Sequence, residues 1–220
     1  MRPRTIVVML SVILLCGAAP AKKRKSSKAR SKGNKTKIIS KKDFLKGVEK
    51  LLEDERVPVA SSTLVEKGRS EDFYGVMNLL DGDPETFWAE GEKGWGKKAW
   101  LMFHLPDSST HIEITPGAGK EQFENFNRPR IVFIDYYFVK EKKKQNGERK
   151  IEFKWMGRSK VRFKDEPSPV RVKIPVKLNQ LVMAERTMYV GVLLFRKVYR
   201  GQFDDTAISS LRVQQLWGEE

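Results

Sequence analysis

Carboxylate and hydroxyl side chains surround a glycine in one short segment of the chain. Asp81-Gly82-Asp83 places two carboxylates about a tight turn, and Thr86 adds a hydroxyl and a carbonyl oxygen. Calcium takes oxygen ligands from tight loops, although this spacing differs from that of the longer helix-loop-helix calcium loop. The same carboxylates can instead accept hydrogen bonds from nearby backbone amides in Asx turns. The residues fit both interpretations, so Asp81, Asp83 and Thr86 are candidate calcium ligands.

A second segment, residues 91–98 (GEKGWGKK), carries one aromatic side chain among glycines and lysines. Its glycines do not indicate a nucleotide-binding loop, because such a loop leads into a helix and a strand pattern follows here. Trp95 has only glycines and lysines around it, whereas Trp88 and Trp100 have apolar neighbours. An exposed indole suits stacking on a sugar or contact with a partner. The alternative is that Trp95 folds back onto its own domain.

Side chains that would form an active site are missing from the sequence. Asp204 and Asp205 are adjacent, whereas paired catalytic carboxylates come from separate elements that face a cleft. We therefore expect them to play a structural part in the loop before the last strand. His104 and His111 have no metal-ligand spacing, and no G-x-S-x-G or phosphate-loop motif occurs. The sequence indicates a protein that is not an enzyme.

The net charge of +15 is concentrated at the N-terminus. Residues 1–42 contain 13 Lys and Arg and no acid, which leaves 30 basic and 28 acidic residues in 43–220. The remainder of the chain is therefore nearly neutral, and we expect no specific nucleic-acid partner.

Residues 1–21 have the three parts of a signal peptide: basic Arg2 and Arg4, a short apolar run and a small-residue cleavage site. Cleavage after Ala21 would remove Cys16, the one cysteine, and with it any disulfide or thiol chemistry. We expect an exported protein, periplasmic or secreted. The basic residues 22–25 resist translocation, so the alternative is a membrane anchor formed by the uncleaved apolar segment.

Residues 22–42 are basic and poor in apolar side chains, which predicts a disordered linker. This basic tail could contact anionic lipid or another polyanion, or act as a solvated spacer. Residues 43–56 predict a short amphipathic helix, with Ser40 and Asp43 as its capping pair and one apolar face. Such a face packs against the domain or a partner.

After Val57 the apolar residues recur with period two, which is typical of strands that have one wet face and one buried face. At least seven short strands without an intervening helix predict an all-β sandwich or jelly roll. The predicted strands are 100–105, 111–115, 130–134, 150–154, 160–164, 170–174, 188–195 and 211–213.

Several of these segments resemble the discoidin domain, in the bacterial subgroup called NADase-type glycan-binding domains of the galactose-binding-like superfamily. The resemblance covers residues 57–217. The matching segments are 60–64 (ASSTL), 74–88 (YGVMNLLDGDPETFW), the glycine loop with strand 100–105, 114–117 (ITPG), 126–130 (FNRPR), 199–201 (YRG) and 204–209 (DDTAIS).

The resemblance implies an eight-stranded antiparallel jelly roll whose loops at one end contact glycans, lipids or proteins. It implies no hydrolase activity and no cofactor beyond a structural calcium in some relatives, held by the loop that matches Asp81, Asp83 and Thr86. A glutamate commonly follows the serine that matches Ser209, and this chain has Ser210 there. That departure removes one carboxylate from the ligand set that the resemblance implies.

The sequence leaves several functions open. The first is a glycan- or envelope-binding protein, with Tyr74, Trp95, Asn127, Arg128 and Tyr199 as candidate loop contacts. The second is a protein–protein interaction scaffold, and the third is polyanion binding through the basic tail alone. Processing of NAD or ADP-ribose is disfavoured.

Overall fold

The computed structural model describes residues 39–143, 148–178 and 186–215. Contacts group all of them within the unit Ile38–Glu220. The predicted signal peptide 1–21 and most of the predicted linker 22–42 lie outside the described residues. Within the described ranges, no helix is long and apolar enough to cross a membrane.

The helix α1 spans Lys41–Glu53. It begins two residues before the start of the predicted helix 43–56 and ends three residues before the end of that prediction. The side chain of Ser40 accepts a hydrogen bond from the Asp43 amide at 3.1 Å, as the capping pair predicts. The helix stops early because Asp54 adopts an extended conformation, and its carboxylate accepts hydrogen bonds from Arg56. The apolar face of α1 covers a sheet of the same domain, where Phe44 packs against Tyr137 at 4.5 Å between ring centroids.

Within the described ranges, nine strands follow the helix, and two of them have only two residues. They are β1 (Val59–Ala60), β2 (Trp88–Ala89), β3 (Trp100–Leu105), β4 (Ser109–Pro116), β5 (Arg128–Lys143), β6 (Arg149–Arg162), β7 (Val170–Lys173), β8 (Arg186–Tyr199) and β9 (Ala207–Gln215). The first sheet has the order β1-β3-β8-β5-β6 and the second β2-β9-β4-β7. Every pair of neighbouring strands is antiparallel, so the predicted antiparallel all-β sandwich is confirmed.

The predicted strands 150–154 and 160–164 are in fact one strand, β6. The β5–β6 register shifts between Tyr136↔Gly157 and Tyr137↔Trp155, which leaves Met156 as an extra residue. A bulge of this kind interrupts the alternation of apolar and charged residues without ending the strand. The sequence pattern breaks at the bulge, which is why it predicted two strands.

Among the residues that the structure describes, three apolar clusters hold the domain together. The largest fills the space between the sheets and includes Trp88, Leu101 and Ile134. The second lies on the outer face of the five-stranded sheet beneath α1 and includes Phe44 and Tyr137. Because both faces of that sheet are covered there, β3 and β8 read as continuous apolar runs. The third cluster lies where the loops meet at one end of the sandwich.

Candidate functional site

An aromatic cluster fills the end of the sandwich at which the β4–β5 and β8–β9 loops meet. Tyr74, Phe87 and Phe126 are buried there. Their ring centroids lie 5.3 Å apart for Tyr74 and Phe87, 5.9 Å for Tyr74 and Phe126, and 4.9 Å for Phe87 and Phe126. These spacings are those of favourable aromatic pairs. The loops of this end are therefore built on a packed aromatic base.

Two further phenyl rings extend this base to the surface. Phe73 is 40% exposed and Phe203 is 51% exposed. The Phe73 ring meets Tyr74 edge-on at 4.8 Å, and the Phe203 ring lies 5.2 Å from Phe126. The loop end thus presents two half-exposed aromatic faces, each supported by a buried ring.

Charged and polar groups surround the two exposed rings. The Arg69 guanidinium lies over the Phe73 ring at 4.5 Å, and Arg200 pairs with Asp204 at 3.5 Å beside Phe203. The hydroxyl of Tyr74 donates a hydrogen bond to Glu66 at 2.8 Å. Burial, and then this hydrogen bond, raises the pKa of Tyr74 to about 12, so its hydroxyl stays protonated. Aromatic faces beside charged groups can hold a polar ligand that also has apolar surface.

Sequence reasoning missed Phe73 and Phe203. Each lies in a short polar segment, 70–73 (SEDF) and 201–205 (GQFDD), with turn-forming or charged neighbours. Trp95 was chosen because it is an aromatic residue among polar and glycine neighbours, and the same criterion applies to Phe73 and Phe203. What the sequence does not contain is the packing of both rings on one buried cluster.

The predicted contacts Tyr74 and Trp95 face inward more than expected. Tyr74 is 6% exposed. The Trp95 side chain is half-buried and packs against the core between the sheets, and its carbonyl accepts a hydrogen bond from the Thr206 hydroxyl at 3.0 Å. This arrangement is the alternative that the sequence left open, in which Trp95 folds back onto its own domain, and here its loop lies against the β8–β9 loop. Its role in ligand contact stays a prediction.

Asn127 holds the loop that carries Phe203. Its side chain is fully buried; its amide nitrogen donates to the Asp204 carbonyl, and its oxygen accepts from the Gly201 amide at 3.0 Å. Gly201 is required by this close approach, since a Cβ there would lie 2.3 Å from the Phe126 carbonyl oxygen. Asn127 thus positions the loop, and its predicted contact with ligand remains untested.

Arg128 and Tyr199, two further predicted contacts, bind groups of their own domain. Arg128 is only 7% exposed, and its guanidinium donates hydrogen bonds to both carboxylate oxygens of Asp165 at 2.9 Å. It also donates to the carbonyls of Phe126 and Arg200, each at 3.2 Å. The half-buried Tyr199 donates its hydroxyl to the Phe163 carbonyl at 3.1 Å. Both side chains therefore stabilise the loop end through hydrogen bonds within the domain.

A buried carboxyl group joins residues 91–98 to the β8–β9 loop. Glu90 is fully buried and accepts hydrogen bonds from the amides of Glu92 at 2.8 Å and Thr206 at 3.0 Å. Burial raises its pKa to about 7, against the lowering effect of the two amides. Gly96 leaves room for this group, because a Cβ there would lie 2.7 Å from the carboxyl carbon.

The predicted calcium loop is closed by hydrogen bonds within itself. Asp81 accepts from the Asp83 amide at 2.9 Å and from the Thr86 hydroxyl at 2.7 Å, and Asp83 accepts from the Glu85 amide at 2.9 Å. These are the Asx turns that the sequence left as the alternative. Glu113, Ser210 and Arg212 line the cleft next to Asp83. These internal hydrogen bonds favour the Asx-turn interpretation over a calcium ion, whose binding by Asp81, Asp83 and Thr86 stays a prediction.

The remaining candidates for chemistry lie apart. His104 is on β3, where its Nε2 lies 3.8 Å from Glu55, and His111 is on β4 in the other sheet. Burial, and then the neighbouring Asp204, raises the pKa of Asp205. Within the described ranges, no three His, Cys, Asp or Glu side chains are grouped as metal ligands.

Several solved structures are similar to this chain at low identity. The mycobacterial arabinofuranosyltransferase AftD shares 15% identity, with 72% of this chain and 10% of that chain covered and a TM-score of 0.43. An F5/8 type C domain from Bacteroides fragilis shares 16%, with 74% and 95% covered and a TM-score of 0.40. CpGH89CBM32-4 from Clostridium perfringens, solved with GlcNAc-α-1,4-galactose, shares 16%, with 72% and 89% covered and a TM-score of 0.32. The chain thus spans a tenth of the length of AftD.

No curated protein matches the chain. The family model that does match is described as the NAD glycohydrolase translocation F5/8 type C domain, and it covers residues 54–214. The resemblance to discoidin domains and the jelly-roll fold that it implies are confirmed by this match. The chain belongs to the family of NAD glycohydrolase translocation F5/8 type C domains.

Proposed function

We propose that this protein is a non-catalytic module that binds glycans through the loop end of its sandwich. The observation that carries the proposal is the pair of half-exposed rings, Phe73 and Phe203, on one buried aromatic cluster. An aromatic face packs well against the apolar face of a pyranose ring. Membership of the F5/8 type C family supports a binding role.

The groups around the rings are suited to the hydroxyls of a sugar. Arg69, Glu66 and Arg200 offer donors and acceptors close to the two aromatic faces. Asn127 and Arg128 contribute indirectly to binding, because their hydrogen bonds fix the backbone of the loops that carry the aromatic rings. A ligand that meets preorganised loops loses less free energy to their ordering.

The predicted signal peptide supports a location of such a module outside the cytoplasm, in the periplasm or the medium. There its ligand would be a glycan or another polymer of the cell envelope. The basic segment 22–42 would add non-specific attraction to anionic surfaces.

A glycan array tests the proposal with the full chain and the double variant Phe73→Ala/Phe203→Ala. We expect the wild-type protein to be retained on a subset of glycans and the double variant to lose at least about tenfold in affinity, since two stacking contacts disappear. The matched control is Val65→Ala/Met77→Ala, which removes two exposed apolar side chains that are not aromatic.

The control should keep its glycan retention, and both variants should unfold at the wild-type midpoint. Equal retention by the wild type and the aromatic double variant would remove Phe73 and Phe203 from the site. The chain could instead bind to immobilised proteins and to no glycan on the array. If the double variant lost that binding, the result would favour a protein-binding module.

A further inference from the structure

The outer face of the five-stranded sheet carries a row of cationic side chains beside α1. Residues at i, i+2 and i+4 of a strand lie on one face, so Arg158, Lys160 and Arg162 of β6 point the same way. Their partners on β5 are Asp135, Phe133 and Ile131. The neighbouring Val161 is buried in the core between the sheets, which assigns the three cations to the outer face.

Phe133 joins this row to a fourth cation. The guanidinium of Arg158 lies over its ring at 4.8 Å and that of Arg196, from β8, lies over it at 5.3 Å. The strand rise places successive outer residues of β6 about 6.6 Å apart, and β8 lies about 10 Å from β6 across β5. We define these four side chains, Arg158, Lys160, Arg162 and Arg196, as the basic strip.

An aromatic side chain stands at one end of the basic strip. Trp155 is 53% exposed, and its Nε1 donates to Asp135 at 3.3 Å. The indole is therefore held by its polar edge while much of its ring faces solvent. An anchored, half-exposed tryptophan beside cations offers a ligand an aromatic face in a fixed position.

The charge of the strip is only partly balanced. Within the described part of the chain, Asp135 is the one acidic group that pairs with any of the four cations, and it binds Arg158 at 2.6 and 2.7 Å. Lys160 and Arg162 are exposed. The strip therefore keeps an excess of positive charge on one face, although residues 43–220 as a whole are nearly neutral.

We propose that the basic strip and Trp155 form a second binding surface, for an acidic polysaccharide whose pyranose rings carry carboxylate or sulfate groups. Guanidinium groups bind carboxylate and sulfate oxygens in a bidentate manner, and the indole takes a sugar ring on its free face.

A nucleic acid fits the surface less well. Single-stranded nucleic acids bind along grooves in which successive bases stack on several aromatic side chains. The strip offers one exposed indole, and the Phe133 ring is already covered by two guanidinium groups. The proposal does not depend on the loop-end site, because none of its residues belongs to the cluster around Phe73 and Phe203.

The test measures binding of the full chain to polygalacturonate and heparin oligosaccharides at several salt concentrations. The variant is Lys160→Ser/Arg162→Ser, which leaves the Arg158–Asp135 pair intact. The matched control is Arg171→Ser/Lys173→Ser, which removes the same charge from exposed positions on β7 in the other sheet. Both variants keep residues 22–42, so attraction by the tail is equal in all samples.

We expect the strip variant to bind at least about tenfold more weakly, with a shallower dependence on salt, and the control to stay within about twofold of the wild type. Trp155→Ala should also weaken oligosaccharide binding. Polygalacturonate and heparin distinguish carboxylate from sulfate as the preferred group. The variant Phe73→Ala/Phe203→Ala should bind both probes normally, which separates this surface from the loop end.

Three results would overturn the proposal. One is unchanged binding by the strip variant, and another is an equal loss in both charge variants, which would indicate net charge alone. The third is an oligothymidylate of equal charge that binds more tightly than either saccharide and loses affinity in the strip variant, which would indicate a nucleic-acid surface.

Discussion

The side-chain oxygen of Asn127 accepts a hydrogen bond from the backbone amide of Gly201 at 3.0 Å, which fastens the β8–β9 loop to the start of β5. The Asn127 backbone adds bonds on both sides, to the Asp205 carbonyl at 2.9 Å and from the Ala207 amide at 3.0 Å. Asn127 therefore hydrogen-bonds through both its side chain and its backbone to the loop that presents Phe203 and to the start of β9.

Asn127→Ala should loosen this loop. We expect the free energy of unfolding to fall by about 2 kcal/mol, because the substitution leaves buried polar groups of the loop without partners. Urea denaturation measures the loss. Asn125→Ala is the control, since the described residues show no hydrogen bond from its side chain, and it should change stability by less than about 0.5 kcal/mol. Equal effects of the two substitutions would contradict this role for Asn127.

Arg158→Met should destabilise the domain although Arg158 lies near the surface. Its partner Asp135 is fully buried, so losing the guanidinium leaves a buried carboxylate, at a cost of about 3 kcal/mol. Arg56→Met is the matched control, because Arg56 pairs with an exposed aspartate and such pairs contribute less than about 1 kcal/mol. Denaturant titrations of both variants give the comparison, and a loss below about 1 kcal/mol for Arg158→Met would count against a structural ion pair.

Glu90 should make stability depend on pH. Its pKa in the folded protein is about 7, above its ordinary value of 4.5, so the folded state favours the protonated carboxyl. The contribution of Glu90 is fully present below pH 4.5, decreases as the pH rises, and is lost above about pH 7.

Unfolding free energies of the wild type and Glu90→Gln, measured from pH 4 to pH 8.5, check this expectation. The wild type should lose stability relative to the variant across this window as the pH rises. A difference that does not change with pH would show that Glu90 titrates normally in the folded protein.

The loop around Asp81 should not need calcium. Its carboxylate oxygens already accept hydrogen bonds from the Asp83 amide and the Thr86 hydroxyl. We expect the thermal unfolding midpoint to be the same in EDTA and in millimolar calcium, since a ligand that does not bind the folded state cannot stabilise it.

Asp81→Ala should cost about 1 kcal/mol in either condition, because the loop loses its internal hydrogen bonds. If calcium raised the thermal unfolding midpoint of the wild type and Asp81→Ala abolished that rise, the result would support a calcium site in this loop.

The sequence by itself determined the all-β sandwich, the N-terminal helix with its Ser40 cap and most of the strands. These features are local: alternation of apolar and charged residues assigns a strand and its buried face, and a capping pair marks a helix end. The segments from Tyr74 to Trp88 and from Phe126 to Arg130 also carried the family resemblance. The extra residue at Met156 broke the alternation locally, so β6 was read as two strands.

Only the tertiary structure decided which loop residues face outward. Asn127 and Arg128 lie in loop-like sequence, yet their polar atoms bind backbone groups from distant segments, and Trp95 packs on the core. Phe73 and Phe203, 130 positions apart, meet the same aromatic cluster because Tyr74 and Phe126 are brought together by folding. Exposure and convergence depend on contacts between residues far apart in the chain, and composition or spacing does not contain them.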